Sequence, residues 1–496
     1  MTVILNTLAL YAKKHPVLSI AFGFQLFRFV LLPFMGLMPQ DAYYYLYGEN
    51  LSLSYFDHPG MIGYMLILFS YLFGKTVFSL KLANFVCTTL TLISFYKLSK
   101  LFLSKQKIQR SFVMLVSSLF ISVLSFNSTP DVPLLLFWSL SILTLYKAVF
   151  ENKKPYWIYS GIAMGLAFNS KYSALLLPIG FLIFIFISNK YRKFLLSPWL
   201  WASLVIFVTT AFPVWWWNYQ NNFASFAFQS LNRTESISKF NFNPKFFLGT
   251  LAHQLILLLP VLFYLFVIFS FKYIKRILIR LKLPSSKTLF LLAFFAPTFI
   301  GFMLLSPFYW VKINWLMPSY ITGVILAGMF ISKKMLKVQL ICSTVLHLLL
   351  AIQVVFYLMP VKSDDTWIGW EELATATKEL KKEHPYSFIF SDDSYKTSAA
   401  LNFFLNEKVY AQNIIGKRAL HFDYLGDDLT VLNGKNALFI DSDPQFKDRK
   451  KKNKISQNLK KHFLKITELK PILILKNGKA IRKFWVFYCE NYKFNP

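Results

Sequence analysis

Long apolar runs alternate with short basic loops through the first three-quarters of the chain. A membrane-crossing helix needs about 20 apolar residues, and scanning for such runs predicts eleven spans. They lie near 17–37, 78–102, 111–126, 131–149, 156–170, 172–189, 199–217, 247–270, 288–306, 314–332 and 337–359. The first is read as an uncleaved span, because no small-residue cleavage site follows a short apolar core. Between the first two runs, "DAYYYLYGENLSL" places Tyr44, Tyr47 and Leu51 at helical spacing, and "PGMIGYMLILFSYLFG" is apolar but short. Both are predicted as helices lying at an interface, where tyrosine rings are at home.

After residue 360 the pattern changes. "SFIFSDD", "KVYAQNI" and "NALFIDSD" read as strands, with "YKTSAALNFFL" as a helix between the first two. "PILILKNGKAIRKFWVFYCENY" reads as a hairpin about Asn477–Gly478, and "KDRKKKNKISQNLKKHF" as a solvated helix or loop. The expected organisation is a polytopic α-helical membrane domain over 1–360 and a small soluble α/β domain over 361–496.

Charge sharpens this picture. Residues 1–360 hold 30 Lys and Arg against six acids, while the tail holds 24 against 17. Alternate loops of the first part carry 22 basic residues on one side and seven on the other, with Arg28 inside the first span. That asymmetry puts the N-terminus in the cytoplasm and the tail outside. The net charge of +31 therefore reports membrane orientation and anionic lipid headgroups, not nucleic acid. A composition 55% hydrophobic and 19% aromatic fits helices buried on all sides. The three cysteines show no metal-ligand or disulfide spacing, and no metal or other cofactor is expected.

Five of the six acids of the first part fall in outward loops, and Asp41, Asp57 and Asp131 sit close to span ends. Each can be read as a helix-terminal group: Asp41 after "MPQ", Asp131 ahead of a span, Asp57 before Pro59 at a first helical position. The alternative reading is chemical. A carboxylate held near lipid is costly unless paired or used, and can serve as a base toward a hydroxyl. His58, Lys171, Arg233 and Lys312 on the same side, with Arg28 in the first span, suit a lipid-linked phosphate. Walker A, GxGxxG, HExxH and GxSxG signatures are missing, so nucleotide hydrolysis and zinc proteolysis have no support.

"DAYYYLYGENLSLSYFDHPGMIGYM" resembles the first outer loop of bacterial family-39 glycosyltransferases, the protein mannosyltransferase-like GT-C enzymes that use polyprenyl-phosphate sugars. "STPDVPLLLFWSLSI", "LAFNSKYSALLLP", "FPVWWWNYQNNFASFAFQ" and "VKINWLMPSYITG" are similar to later family segments in the same order, and "DDTWIGWEELA" and "SDDSYKTSAALNFFL" to the outer domain. Gly60 departs from the pattern, standing where many relatives carry a second proline.

The resemblance implies a GT-C fold with about eleven transmembrane helices in the bacterial inner membrane, and inverting transfer from a polyprenyl-phosphate sugar on the periplasmic face. It implies lipid A or lipopolysaccharide as acceptor, with a protein hydroxyl as second choice. It makes Asp41 the candidate base, gives Asp57 and His58 to the donor pocket and Lys171 to the donor phosphate, and has Asp131 position the acceptor or a cation. Arg233 and Lys312 are further anion contacts. Tyr43, Tyr44 and Trp215–Trp217 suit sugar stacking, although tryptophans at a span end also form interfacial belts. A transporter for a lipid-linked sugar is the non-enzymatic alternative; it would require paired halves or broken helices with charge at mid-membrane.

Overall fold

The computed structural model describes residues 16–230, 242–405, 407–446 and 457–494. Two compact units emerge, one of Met1–Leu32, Lys81–Phe126 and Pro130–Ala351, the other of Pro33–Leu80, Asn127–Thr129 and Ile352–Pro496. The first outer loop thus falls in the same unit as the tail. The division at residue 360 remains a proposal about which parts meet lipid and which meet water.

Among the described residues, six helices are long and apolar enough to cross a membrane, or nine if three bent pairs each count as one span. This is fewer than the eleven expected from apolar run length. The 111–126 run is two helices, Lys105–Val116 and Leu119–Phe126, bent by 50°. The 172–189 run turns through 120° into Asn189–Leu196, and the 199–217 run bends by 47°. The run at 156–170 forms a helix of 16 residues (Pro155–Ser170), and that at 314–332 one of 12 (Met317–Gly328). Hydropathy reads composition and is blind to a break whose freed backbone groups are satisfied by neighbours.

The first unit shows how such breaks are satisfied. Lys333–Phe356 exposes Val338, Ile341, Val345, Leu348 and Leu349, yet buries Gln339, Ser343 and His347, spaced by four along one face. Gln339 Nε2 donates to the Leu258 carbonyl (2.9 Å) and its Oε1 accepts from Leu262 N (3.3 Å). This bridges the kink in Pro244–Ile274, where Leu259 has φ 64° ahead of Pro260. Ser343 Oγ donates to the Ser117 carbonyl, and His347 Nε2 lies 2.7 Å from Ser122 Oγ. Arg28 completes the repair. Its Nε donates to Ser122 Oγ (2.9 Å), Nη1 to Gln25 (2.6 Å), and Nη2 to the Val116 carbonyl at the break. The cation in the first span, grouped above with candidate phosphate ligands, is wholly buried and holds helices together.

In the second unit, Pro39–Glu49 and Met61–Phe73 form the two helices expected of the outer loop, the first ending before Leu51. They approach closely because both carry glycine at the contact. A Cβ on Gly48 would lie 2.7 Å from the Gly63 carbonyl oxygen, and one on Gly63 2.6 Å from Tyr47 Cβ. The second helix begins at Met61, not at Pro59 as expected. Gly60 lies against Tyr64 and Tyr55: a Cβ there would come within 2.5 Å and 2.9 Å of their rings.

The tail forms a six-stranded mixed sheet: β1 (Phe388–Phe390), β2 (Val409–Tyr410), β3 (Ala437–Ser442), β4 (Phe463–Glu468), β5 (Ile472–Lys476) and β6 (Lys479–Tyr492). β1 runs parallel to β2 and β3, while β6 is antiparallel to β3, β4 and β5. The three expected strands, the helix Lys396–Phe404 and the hairpin are all present. Asn477 (φ 50°) and Gly478 (φ 73°) adopt the left-handed backbone that a tight two-residue hairpin needs. All six β3 residues are buried, as for a strand covered on both faces. The polar run after Phe446 lies largely outside the described residues, which resume at 457; its end, Phe463, begins β4.

Candidate active site

Asp41, the third residue of Pro39–Glu49, is fully buried. Its Oδ2 accepts the Met38 N–H (2.8 Å) and its Oδ1 the Ser128 N–H (2.8 Å). The helix-terminal reading is thus realised on one oxygen, while the other ties the helix to the segment 127–129.

Asp57 lies 14 residues beyond Tyr43, and their side chains meet. Oδ1 accepts Tyr43 Oη–H at 2.8 Å and a second hydrogen bond from Tyr47 Oη–H. Burial first, then the Asp57 charge, pushes both phenols well above the ordinary tyrosine range. They therefore remain protonated donors, and Asp57 is held in one orientation. Tyr55 stacks on Tyr47 (4.0 Å between centroids, 14° between planes) and donates to its carbonyl at 2.6 Å. Tyr44 and His58 have ring centroids 6.2 Å apart.

In the first unit, Asp131 opens Asp131–Phe150, but its carboxylate does not cap that helix. It takes a bidentate contact from Lys171 Nζ (2.8 and 2.9 Å) and a bond from Asn314 Nδ2 (2.6 Å). Lys171 stands at the end of Pro155–Ser170 with extended backbone (φ −161°, ψ 140°) and is itself buried. Two of its three ammonium protons face Asp131, and the third remains for another acceptor. Lys312, two residues before Asn314, is exposed. Arg233 lies outside the described residues.

Sequence reasoning placed Asp41, Asp57, Asp131 and Lys171 but missed their partners. Tyr47 was noted only for its helical spacing, and Lys81 was counted only among the seven basic residues of the outward side. Lys81 is buried and donates to the Phe126 carbonyl (2.7 Å), closing the C-terminus of Leu119–Phe126. His421 and Tyr395 come from the tail. The backbone N–H of His421 donates to Tyr43 Oη (3.2 Å), and the Tyr395 ring lies 4.4 Å from that of Tyr43. No local pattern could have signalled them; a histidine inside "RALHFDY" reads as any core or surface histidine.

With this geometry in hand, the likeness to known proteins can be placed. Residues 57–217 match the family model described as dolichyl-phosphate-mannose-protein mannosyltransferase. Over 323 residues the chain is 22% identical to the lipid A galacturonosyltransferase RgtD of Rhizobium johnstonii, covering 62% of this chain. The chain spans 64% of the length of that curated relative. ArnT of Cupriavidus metallidurans bound to undecaprenyl phosphate superposes with a TM-score of 0.59 at 13% identity, over 95% of this chain and 97% of that one. The apo oligosaccharyltransferase of Archaeoglobus fulgidus reaches 0.50 at 12% identity, over 87% and 70%.

The fold is that of a multi-pass GT-C membrane protein with a small C-terminal sheet domain. Within that class, the chain is similar to the mannosyltransferase family model over residues 57–217 and to a lipid A transferase over 62% of its length.

Proposed function

We propose that the protein is an inverting glycosyltransferase that moves a sugar from a polyprenyl-phosphate carrier to lipid A or lipopolysaccharide. The reaction takes place on the periplasmic face of the inner membrane, with the N-terminus cytoplasmic and the tail outside. The observation that carries this reading is the buried Asp41, held by two backbone N–H groups in the same unit as the tyrosine-braced Asp57, within a fold shared end to end with a protein that binds undecaprenyl phosphate. The lipid A relative supports the choice of acceptor.

In the proposed step, an acceptor hydroxyl oxygen attacks the anomeric carbon as the bond to the carrier phosphate breaks. The hydroxyl proton passes to the Asp41 carboxylate, and the phosphate leaves on its lipid. Asp57, fixed by two phenols, accepts hydrogen bonds from the donor sugar, with Tyr43, Tyr44 and His58 along the same wall. Lys171 offers its third proton to the donor phosphate while Asp131 and Asn314 hold it in place. Lys312 and Arg233 are secondary anion contacts. A protein acceptor is the second reading, favoured by the family model, whose members are described as protein mannosyltransferases.

Purified protein in detergent, given radiolabelled polyprenyl-phosphate sugars and lipid A, tests this directly. Label on lipid A with wild type and none with Asp41→Asn is the expected result. Full transfer by Asp41→Asn would remove the base assignment. Carrier left unconsumed with both lipid and protein acceptors would favour a transporter.

A further inference from the structure

The aromatic wall around Asp57 belongs to the first outer loop, yet part of it is held by chain 378 residues downstream of Tyr43. The His421 N–H donates to Tyr43 Oη, whose own O–H donates to Asp57 Oδ1. The His421 ring stands edge-on to both Tyr47 (4.9 Å, 63°) and Tyr55 (4.8 Å, 76°). The second phenol on Asp57 is therefore wedged between a stacked tyrosine and an imidazole. Phe422 lies parallel to Tyr43 at 6.4 Å, and Tyr424 stacks on Phe56, the neighbour of Asp57, at 4.9 Å and 14°.

The turn that presents these groups is strained. Leu420 has φ 55°, a left-handed backbone that disfavours any residue with a Cβ. The Ala419 N–H to Asp423 Oδ2 bond (2.7 Å) and the Phe422 N–H to Ala419 carbonyl bond (3.1 Å) hold it there. Strain of this kind persists only where the surroundings over-determine the conformation. Inside the turn, the 2% exposed His421 has no hydrogen-bond partner for Nδ1 among the described residues, and burial lowers its pKa to about 3. The imidazole is neutral and acts through its shape, while the backbone N–H does the hydrogen bonding.

We propose that the tail turn 419–424 is a positioning element for the donor-side carboxylate, with His421 setting the Tyr43–Asp57–Tyr47 geometry. The proposal rests on the reading of Asp57 as a donor-pocket group. It gives the soluble domain a direct part in the reaction: without it, the loop retains its carboxylate but loses that carboxylate's orientation.

The test uses full-length protein in detergent with His421→Ala and His421→Phe, each alone and combined with Asp57→Asn. Amide hydrogen exchange and donor KM and kcat are both read. With His421→Ala, exchange within 41–58 is expected to rise about tenfold while β3 and β6 stay protected. Donor KM should rise about five- to tenfold with kcat within about twofold, and His421→Phe should restore both. In the Asp57→Asn background, His421→Ala should add nothing, because the two act through one group. Unchanged exchange in 41–58, or KM losses that multiply, would overturn the proposal. If His421→Ala unprotects the whole sheet, Tyr43→Phe must reproduce the local exchange gain, since it deletes the relay oxygen and leaves the ring; its failure overturns the proposal equally. A wild type that consumes no lipid-linked sugar sinks the transferase reading, and the exchange arm still decides the positioning claim.

Discussion

Removing either member of the Asp131–Lys171 pair should cost far more than removing both. At 2.8 Å the gross attraction is about 6 kcal/mol for an effective dielectric near 20. Desolvation of two side chains that are 0% and 8% exposed offsets most of that. Lys171→Met leaves a buried carboxylate with Asn314 as its remaining side-chain donor in the cluster, and Asp131→Leu leaves a buried ammonium. Each single change should destabilise by about 3–5 kcal/mol. The double variant replaces the pair by apolar groups and strands only the Asn314 amide, so about 1–2 kcal/mol is expected. Heat-unfolding midpoints in detergent, followed by tryptophan fluorescence, give the four corners of the cycle. Two results would refute the reasoning: single variants within about 1 kcal/mol of wild type, as for a solvated surface pair, or additive losses in the double. The same proteins test the function. If Lys171 reaches the donor phosphate, the double variant should be near-native in stability yet bind donor poorly.

Other consequences follow from particular residues. Arg28→Met strands the Val116 carbonyl at the helix break and should lower stability by about 1–3 kcal/mol, read from the same unfolding midpoint. Gln339→Leu should cost a similar ~1–3 kcal/mol by freeing the Leu258 carbonyl and Leu262 N–H at the Pro260 kink, and exchange should rise at those amides first. His421 is buried neutral, so the unfolded chain binds its proton more readily than the folded one. Its stabilising contribution is complete above pH 6.5 and is lost as pH falls toward about 3, at ~1.4 kcal/mol per pH unit. His421→Phe should flatten the acid limb of the stability profile over that window, and an unchanged limb would show that the imidazole is solvated. Gly48→Val should push Pro39–Glu49 away from Met61–Phe73 and abolish transfer with the sheet still protected, as read by exchange and the detergent assay.

Local pattern alone determined a good deal of this protein. The strand segments of the tail, the Asn477–Gly478 turn and the helical spacing of the outer-loop tyrosines are properties of neighbouring residues, and all reappear in the fold. Of the charged residues singled out beside the spans, Asp41, Asp57, Asp131 and Lys171 are buried and hydrogen-bonded, whereas Lys312 is exposed. Apolar run length, by contrast, gave no sign of the bends within the runs at 111–126, 172–189 and 199–217. The break at 116–119 depends on groups that satisfy its freed carbonyls, and Arg28 and Ser343 lie far along the chain from it. The partners of the site follow the same rule. Asp131 and Asp57 both read as helix-terminal groups, until Lys171 and Asn314 are seen to claim the first and Tyr43 and Tyr47 to turn onto the second. His421 carries no signal in its own neighbourhood, because its role is created by a turn of the tail meeting the first outer loop. Short-range preferences set elements and charge placement; the hydrogen-bond partner of a buried group is a long-range fact, which only the tertiary structure decides.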